Sequence, residues 1–390
     1  MAARDIIYLD YAATTPVDAE VAATMAGLLT IDGDFANPSA VHLAGRRSSE
    51  HVGRAAERLA NVLRVRPDRL VWTSGATESN NLAIIGAARA RRHRGRHLIT
   101  MPTEHKAVSD VFRALERQGF EVTWLSPDSR GLLDLNLLEA AIRDDTQLVS
   151  VMHVNNETGA IQDIAGIGDI CRRRDVLYHV DAAQSLGKLP LDLGTLPVDL
   201  ASMTAHKLYG PKGVGALYIA DRPGCQIEPI MFGGGQQRRL RPGTLAVHLI
   251  AGFGHAAEIA ASRMAADHER LARLRDQLWM GIGDIPGLVM NGDIGSTYPG
   301  ILNVSVADIE GESLLLALEP LCVATGSACN SRNQEPSYVL RALGRSDREA
   351  QSAIRFSIGR HTTPGNIEFA VSHYRDAVAR LRDIAPGQAA

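Results

Sequence analysis

Short apolar runs alternate with amphipathic stretches over most of this chain, and that alternation leaves few folds open to it. Residues 70–73, 97–100, 122–125, 148–152 and 176–180 are of strand length and rich in Val, Leu, Ile, Thr and Trp. Stretches 105–118, 134–143 and 163–174 between them carry helical periodicity. Apolar strands separated by helices build a mostly parallel sheet covered on both faces. The pattern changes near residue 245. Residues 245–280 lack Pro, are rich in Ala, Leu and Arg, and read as one or two helices leaving the first domain. New strands at 301–306 and 353–357, with helices at 312–319 and 365–383, predict a smaller α+β domain.

Length and charge bound the function. A chain of 390 residues suits two domains. A formal net charge of -3 gives no basic surplus for nucleic acid, and the Arg-rich stretch 89–94 reads as the solvated end of a helix. No apolar run approaches the roughly 18 residues needed to span a bilayer. The N-terminal segment lacks the apolar stretch of a secretory signal. The expectation is a cytoplasmic protein with no direct nucleic-acid or membrane partner. Four cysteines without a CxxC pair are too few for a disulfide framework. No metal site is certain from the sequence, and Cys329 is a candidate transient iron–sulfur ligand.

Lysine is scarce. Of 41 basic residues only Lys106, Lys188, Lys207 and Lys212 are Lys. Arginine does not deprotonate in proteins and forms no imine with an aldehyde. Any Schiff-base chemistry therefore has four candidates.

Five local constellations carry chemistry. Residues 73–78 follow a strand and open a helix, where unpaired backbone N–H groups and the helix dipole attract an anion. Gly75 would admit the anion closely and Thr77 adds a hydroxyl; alternatively Ser74 or Thr77 is a plain helix cap. Asp181 follows the strand 176–180, and ligands of parallel sheets gather beyond strand carboxyl ends. A carboxylate there either holds a proton on a ring nitrogen or caps a turn; Gln184 could reach the same ligand. Lys207 lies after the apolar run 198–203, flanked by Thr204 and His206 and followed by a glycine-rich stretch. It is a nucleophile lowered in pKa by its neighbours, or a surface lysine. Cys329, among Gly, Ser, Ala and Asn in 325–331, reads as an exposed reactive thiol or an idle one. Cys322 reads as inert in a buried apolar run, and Cys171 and Cys225 have no reactive context. His105 begins a helix after the strand 97–100; it could stack on a flat ring and move protons, or merely cap the helix. Together these groups match what pyridoxal 5'-phosphate needs to act as an electron sink, with a thiol added.

In order along the chain stand YLDYAATTP, FANPSAVH, TSGATESNNLAI, TEHKAV, MHVNNETG, YHVDAAQSLGKLP, HKLYGPKGVGALY, LRPGT, GSAC and SYVLRALG. This series resembles the cysteine desulfurases of the IscS/NifS group, over nearly the whole chain. The resemblance implies a type I pyridoxal-phosphate fold of the aspartate aminotransferase kind, α/β with a mixed, mostly parallel sheet. It would have a large domain at 16–260, a small domain formed by 1–15 and 261–390, and a homodimeric assembly. It implies that Lys207 carries the cofactor as an imine, Asp181 pairs with the pyridine nitrogen and His105 stacks on the ring. Asn156 and Gln184 would contact the ring oxygen. Ala76, Thr77, Thr204 and His206 would hold the phosphate, with Thr244 reaching it from the partner subunit. Arg355, helped by Asn37, would bind the carboxylate of L-cysteine. Cys329 would take the sulfur as a persulfide for a sulfur-acceptor protein, such as an iron–sulfur scaffold or a thiolation enzyme. Iron–sulfur assembly, tRNA thiolation and DNA phosphorothioation are all open as destinations. Three positions depart from the pattern: Ala205 stands where glycine is usual, and Arg239 and Pro242 where small residues are common. An aminotransferase or lyase of the same fold would explain Lys207 and Asp181 but not the thiol. A non-catalytic sulfur carrier would explain the thiol alone.

Overall fold

The computed structural model describes residues 6–325 and 335–384. Its larger sheet has seven strands, in the spatial order Leu70–Thr73, Gly215–Ile219, Leu200–Thr204, Leu177–Asp181, Thr146–Ser150, His97–Thr100 and Glu121–Trp124. Gly215–Ile219 runs antiparallel to both neighbours, and every other pairing in the sheet is parallel. All strands are buried throughout except Glu121–Trp124, as its place at the edge requires.

Period-two alternation sends each strand's apolar residues to two cores. Trp72, Val149, Tyr178, Val180, Ala201 and Met203 face one side, packed under Leu59 and Leu63 of helix Leu43–Leu63 and Ile170 of helix Ile164–Arg173. Val71, Leu98, Leu148, Leu177, Leu200 and Leu217 face the other, under helices Ala76–Ala90 and Lys106–Arg117. The Leu70–Thr73 edge is protected against further pairing. There Gln237 accepts from Trp72 N at 2.6 Å and donates to Trp72 O at 2.8 Å, a side chain standing in for a strand.

Nearly all of the stretch 245–280 lies in one continuous helix, Val247–Ile282. Its first half (Ile250, Phe253, Ala257, Ala260) packs on the large sheet, with Phe253 edge-on to Trp72. Its second half (Leu271, Leu274, Leu278, Ile282) enters a separate core around a four-stranded antiparallel sheet, ordered Ala324–Thr325, Ile354–Ser357, Ile301–Val306 and Leu288–Met290. Ile7–Tyr8 pairs parallel with Leu321–Cys322, which returns the N-terminal segment to this second body.

Two local expectations change. Asp181 is the last residue of its strand rather than the first beyond it. Cys322 is half-buried rather than buried, because its two-residue strand lies at an edge; burial and the Asp10 and Glu319 carboxylates push its thiol up. Cys171 and Cys225 are buried, and burial likewise pushes both thiols up, Cys225 to about 12.

Candidate active site

The strands Leu70–Thr73, His97–Thr100, Thr146–Ser150, Leu177–Asp181 and Leu200–Thr204 all end on one rim. Beyond that rim lies a cavity of about 710 Å³, within the size range of cofactor sites. It is lined by Ala76, Thr77, His105, Asn156, Asp181, Gln184, Thr204, His206, Lys207 and Arg355. Ten separately expected residues therefore meet at one place.

At one end of the cavity, helix Ala76–Ala90 starts from Gly75 with no side-chain cap, so neither Ser74 nor Thr77 caps it. A Cβ added at Gly75 would meet nothing within 4 Å, leaving space against the helix N-terminus for an anion. Gly215 makes this arrangement fit: a Cβ there would come within 2.6 Å of Gly75 backbone.

At the other end the Asp181 carboxylate is held by two donors, Ala183 N at 2.9 Å and Asn80 Nδ2 at 2.8 Å. Asn80 Oδ1 and Asn156 Oδ1 are buried without a protein partner, acceptors suited to a polar ligand. His105 both caps helix Lys106–Arg117 and lines the cavity. Its Nδ1 accepts from Ala107 N at 3.1 Å, which puts the proton of the neutral ring on Nε2. Burial, and then the Lys207 charge, hold its pKa below the ordinary histidine range. His206, beside Thr14 Oγ1 at 3.1 Å, is pushed down to about 4 by burial and the Lys207, Lys212 and Lys188 charges. Both rings are thus neutral near pH 7.

Arg355 is buried on strand Ile354–Ser357 and reaches the cavity from the small body. Its Nη2 donates to Asp10 Oδ1 at 2.7 Å and its Nη1 to Asn156 O at 2.8 Å, while Nε has no partner. Glu157, next to Asn156, is buried and accepts from Ser337 Oγ at 2.6 Å. Burial raises its carboxyl to about 7. Tyr338 Oη donates to Glu104 O at 2.9 Å.

Three expected residues stand apart. Asn37 is exposed and does not line the cavity, because its Oδ1 turns back onto Ser39 N at 2.9 Å. Thr244 is exposed and away from the cavity of its own subunit. Cys329 lies outside the described residues. The three departures have local accommodations. A Cβ at Gly210 would come within 2.9 Å of Ala205 Cβ, so that glycine makes room for the buried methyl. Arg239 takes a left-handed backbone (φ 65), with Gln237 and Arg238 also at positive φ. Pro242 faces Gly233, where an added Cβ would meet its ring at 3.1 Å.

Asp10, Asn80, Glu157, Lys188, Ser337 and Tyr338 also belong to the site or its wall. Each lies inside one of the ordered motifs, and Lys188 is also one of the four lysines.

The cavity fits pyridoxal phosphate: an uncapped helix end and open Gly75 for the phosphate, a doubly held carboxylate for a ring nitrogen, unpartnered amide oxygens and a lysine. The chain matches the model of the aminotransferase class-V family over residues 7–369. It is 55% identical to "Cysteine desulfurase IscS" of Cronobacter sakazakii over 381 residues, covering 97% of this chain and 94% of that one. Among solved structures it is similar to a "NIFS-LIKE PROTEIN" (TM-score 0.90, 36% identity, covering 96% of this chain and 100% of that one). It is also similar to "SspA in complex with cysteine" (TM-score 0.80, 36% identity, covering 92% and 100%). With the motifs, the cavity and these matches in agreement, this chain belongs to the class-V aminotransferase family, among its cysteine desulfurases.

Proposed function

We propose that the protein uses pyridoxal 5'-phosphate on Lys207 to convert L-cysteine to L-alanine, leaving the sulfur on Cys329 as a persulfide. The observation that carries this reading is the convergence of Lys207, Asp181, His105 and Arg355 on one cavity with an open helix end. Bound there, the cofactor supplies an aldehyde for capturing an amine and a ring that accepts the electron pair left on Cα.

The chain's own residues do the rest. Backbone N–H groups at 75–77, with Thr77, Thr204 and His206, hold the phosphate. Asp181 keeps a proton on the ring nitrogen, and Asn80 and Ala183 N keep its carboxylate aimed. His105 stacks on the ring, with Nε2 as the nitrogen that exchanges a proton. Arg355 grips the substrate carboxylate. The Lys207 amine removes the Cα proton. The Cys329 thiolate then attacks the substrate sulfur. An S–S bond forms as the Cβ–S bond breaks, carbon keeps the electron pair, and a proton completes the methyl group of alanine.

The working unit is a homodimer in which Thr244 reaches the partner's phosphate. Exposed Ile31, Phe35, Val41, Leu43 and Phe232 support this, since a lone subunit gains nothing by leaving such side chains in water. The large domain spans 16–260 and the small domain 1–15 with 261–390, which places the boundary within helix Val247–Ile282, between its two packed halves. No helix among the described residues is long and apolar enough to cross a membrane, in keeping with a cytoplasmic site of action on a soluble sulfur acceptor. The test is Cys329→Ser. It should keep the yellow cofactor absorbance and bind L-cysteine yet release no sulfide above background. Full desulfurase activity in that variant refutes the role of Cys329.

A further inference from the structure

Gln184 is held at both ends of its amide. Its Nε2 donates to Ala12 O at 2.8 Å, and its Oε1 accepts from Lys188 Nζ at 2.8 Å. A backbone carbonyl can only accept and an ammonium can only donate, so these two partners dictate which way the amide faces. One Nε2–H remains for the cavity that Gln184 lines. Lys188 itself stands behind that cavity, in a small adjoining pocket of about 30 Å³ that also touches Lys207. Its ammonium lies 5.5 Å from the Tyr298 ring centroid and pairs with no carboxylate among the described residues.

We propose that Lys188 is a positioning residue for the cofactor's ring oxygen: it locks Gln184 so that an N–H, and not the carbonyl, is presented to that oxygen. The proposal rests on the cofactor reading above and deepens it. Without Lys188, only the Ala12 carbonyl still opposes turning of the Gln184 amide, and each turned-over amide brings Oε1 against an anionic oxygen. The charged groups around Lys188 offer its amine no other hydrogen-bond partner among the described residues. Lys207 and Arg355 repel it, Asp267 is already engaged by Arg360, and His268 lies against Tyr298. Burial and those two cations lower the amine to about 7, so the ammonium contact is complete in acid solution and fades as pH rises through 7.

A donor on the ring oxygen matters most when the nitrogen joining Lys207 to the cofactor has lost its proton, because the oxygen is then bare. Lys188 should therefore lower the pKa of that nitrogen, which is read directly from the change of cofactor absorbance with pH. In Lys188→Met, a near-isosteric apolar change, the absorbance pKa should rise by roughly one unit. In a Gln184→Leu background, where there is no amide to orient, the same substitution should shift it by less than half as much. Equal shifts in both backgrounds overturn the proposal, because Lys188 would then act by charge alone; no shift in either also overturns it. Thermal unfolding of each variant confirms that the fold is retained. Borohydride reduction separates this failure from failure of the cofactor reading. A pyridoxyl group on Lys207 with an unmoved absorbance pKa sinks only the role of Lys188.

Discussion

Asn80→Leu isolates the contribution of one hydrogen bond to the chemistry. Asn80 Nδ2 supplies one of the two donors to the Asp181 carboxylate, at 2.8 Å in a buried setting. Leucine has a similar volume but no donor, and its bulk keeps water from taking the vacated place. Burying Leu there should unfold little, because Asn80 Oδ1 is already buried without a protein partner and its removal relieves an unmet acceptor. A hydrogen bond to a charged group contributes about 1.5–3 kcal/mol. If that is lost from the state in which Cα has given up its proton, removal slows roughly 10- to 150-fold, at about 1.4 kcal/mol per factor of ten. The assay is exchange of the Cα proton of L-alanine in heavy water, followed by NMR, with bound cofactor measured by absorbance. This reports proton removal without requiring Cys329. An exchange rate within about twofold of the parent, at full cofactor loading, would refute the view that Asn80 acts through Asp181.

Arg355→Lys keeps a positive charge but loses the fork that now engages Asp10 and Asn156 O. KM for L-cysteine should rise about 10- to 100-fold, the effect of losing one charge-assisted contact, with little change in kcat; an unchanged KM contradicts its assignment to the substrate carboxylate. Glu157→Gln tests the buried carboxyl. Its pKa is raised to about 7, so the stability gained from keeping it protonated is complete below the ordinary carboxylate range and lost as pH rises through 7. Relative to the glutamine variant, the parent should lose up to about 3 kcal/mol between pH 4.5 and 8, seen as converging or crossing urea midpoints. Parallel midpoint curves would argue against that burial effect.

The larger sheet was legible in the sequence because parallel strands buried on both faces are continuous apolar runs, as at 70–73 and 97–100. Strand Gly215–Ile219 was not: its lead-in, 209–215, is dominated by glycine, whose local preferences speak for loops. The single helix Val247–Ile282 was visible only as one or two helices, since its apolar stripe passes from one core to another along its length. In the site, residues whose chemistry is self-evident (Lys207, Asp181, His105) could be read from local context and the ordered motifs, and all three line the cavity. Asn80 and Asp10 could not, because each acts by holding another side chain from far along the chain. Asp10 and Arg355 are 345 positions apart. Asn37 shows the converse: it sits in a family motif, yet its side chain is taken up locally by Ser39.

Everything in the catalytic cycle requires a covalent link between the amine at position 207 and an aldehyde cofactor. The holoenzyme should be reduced with borohydride, digested and analysed by peptide mass spectrometry. A reduced pyridoxyl group on the peptide containing Lys207 is the expected result. The same label on Lys106, Lys188 or Lys212, or on no lysine at all, would contradict it.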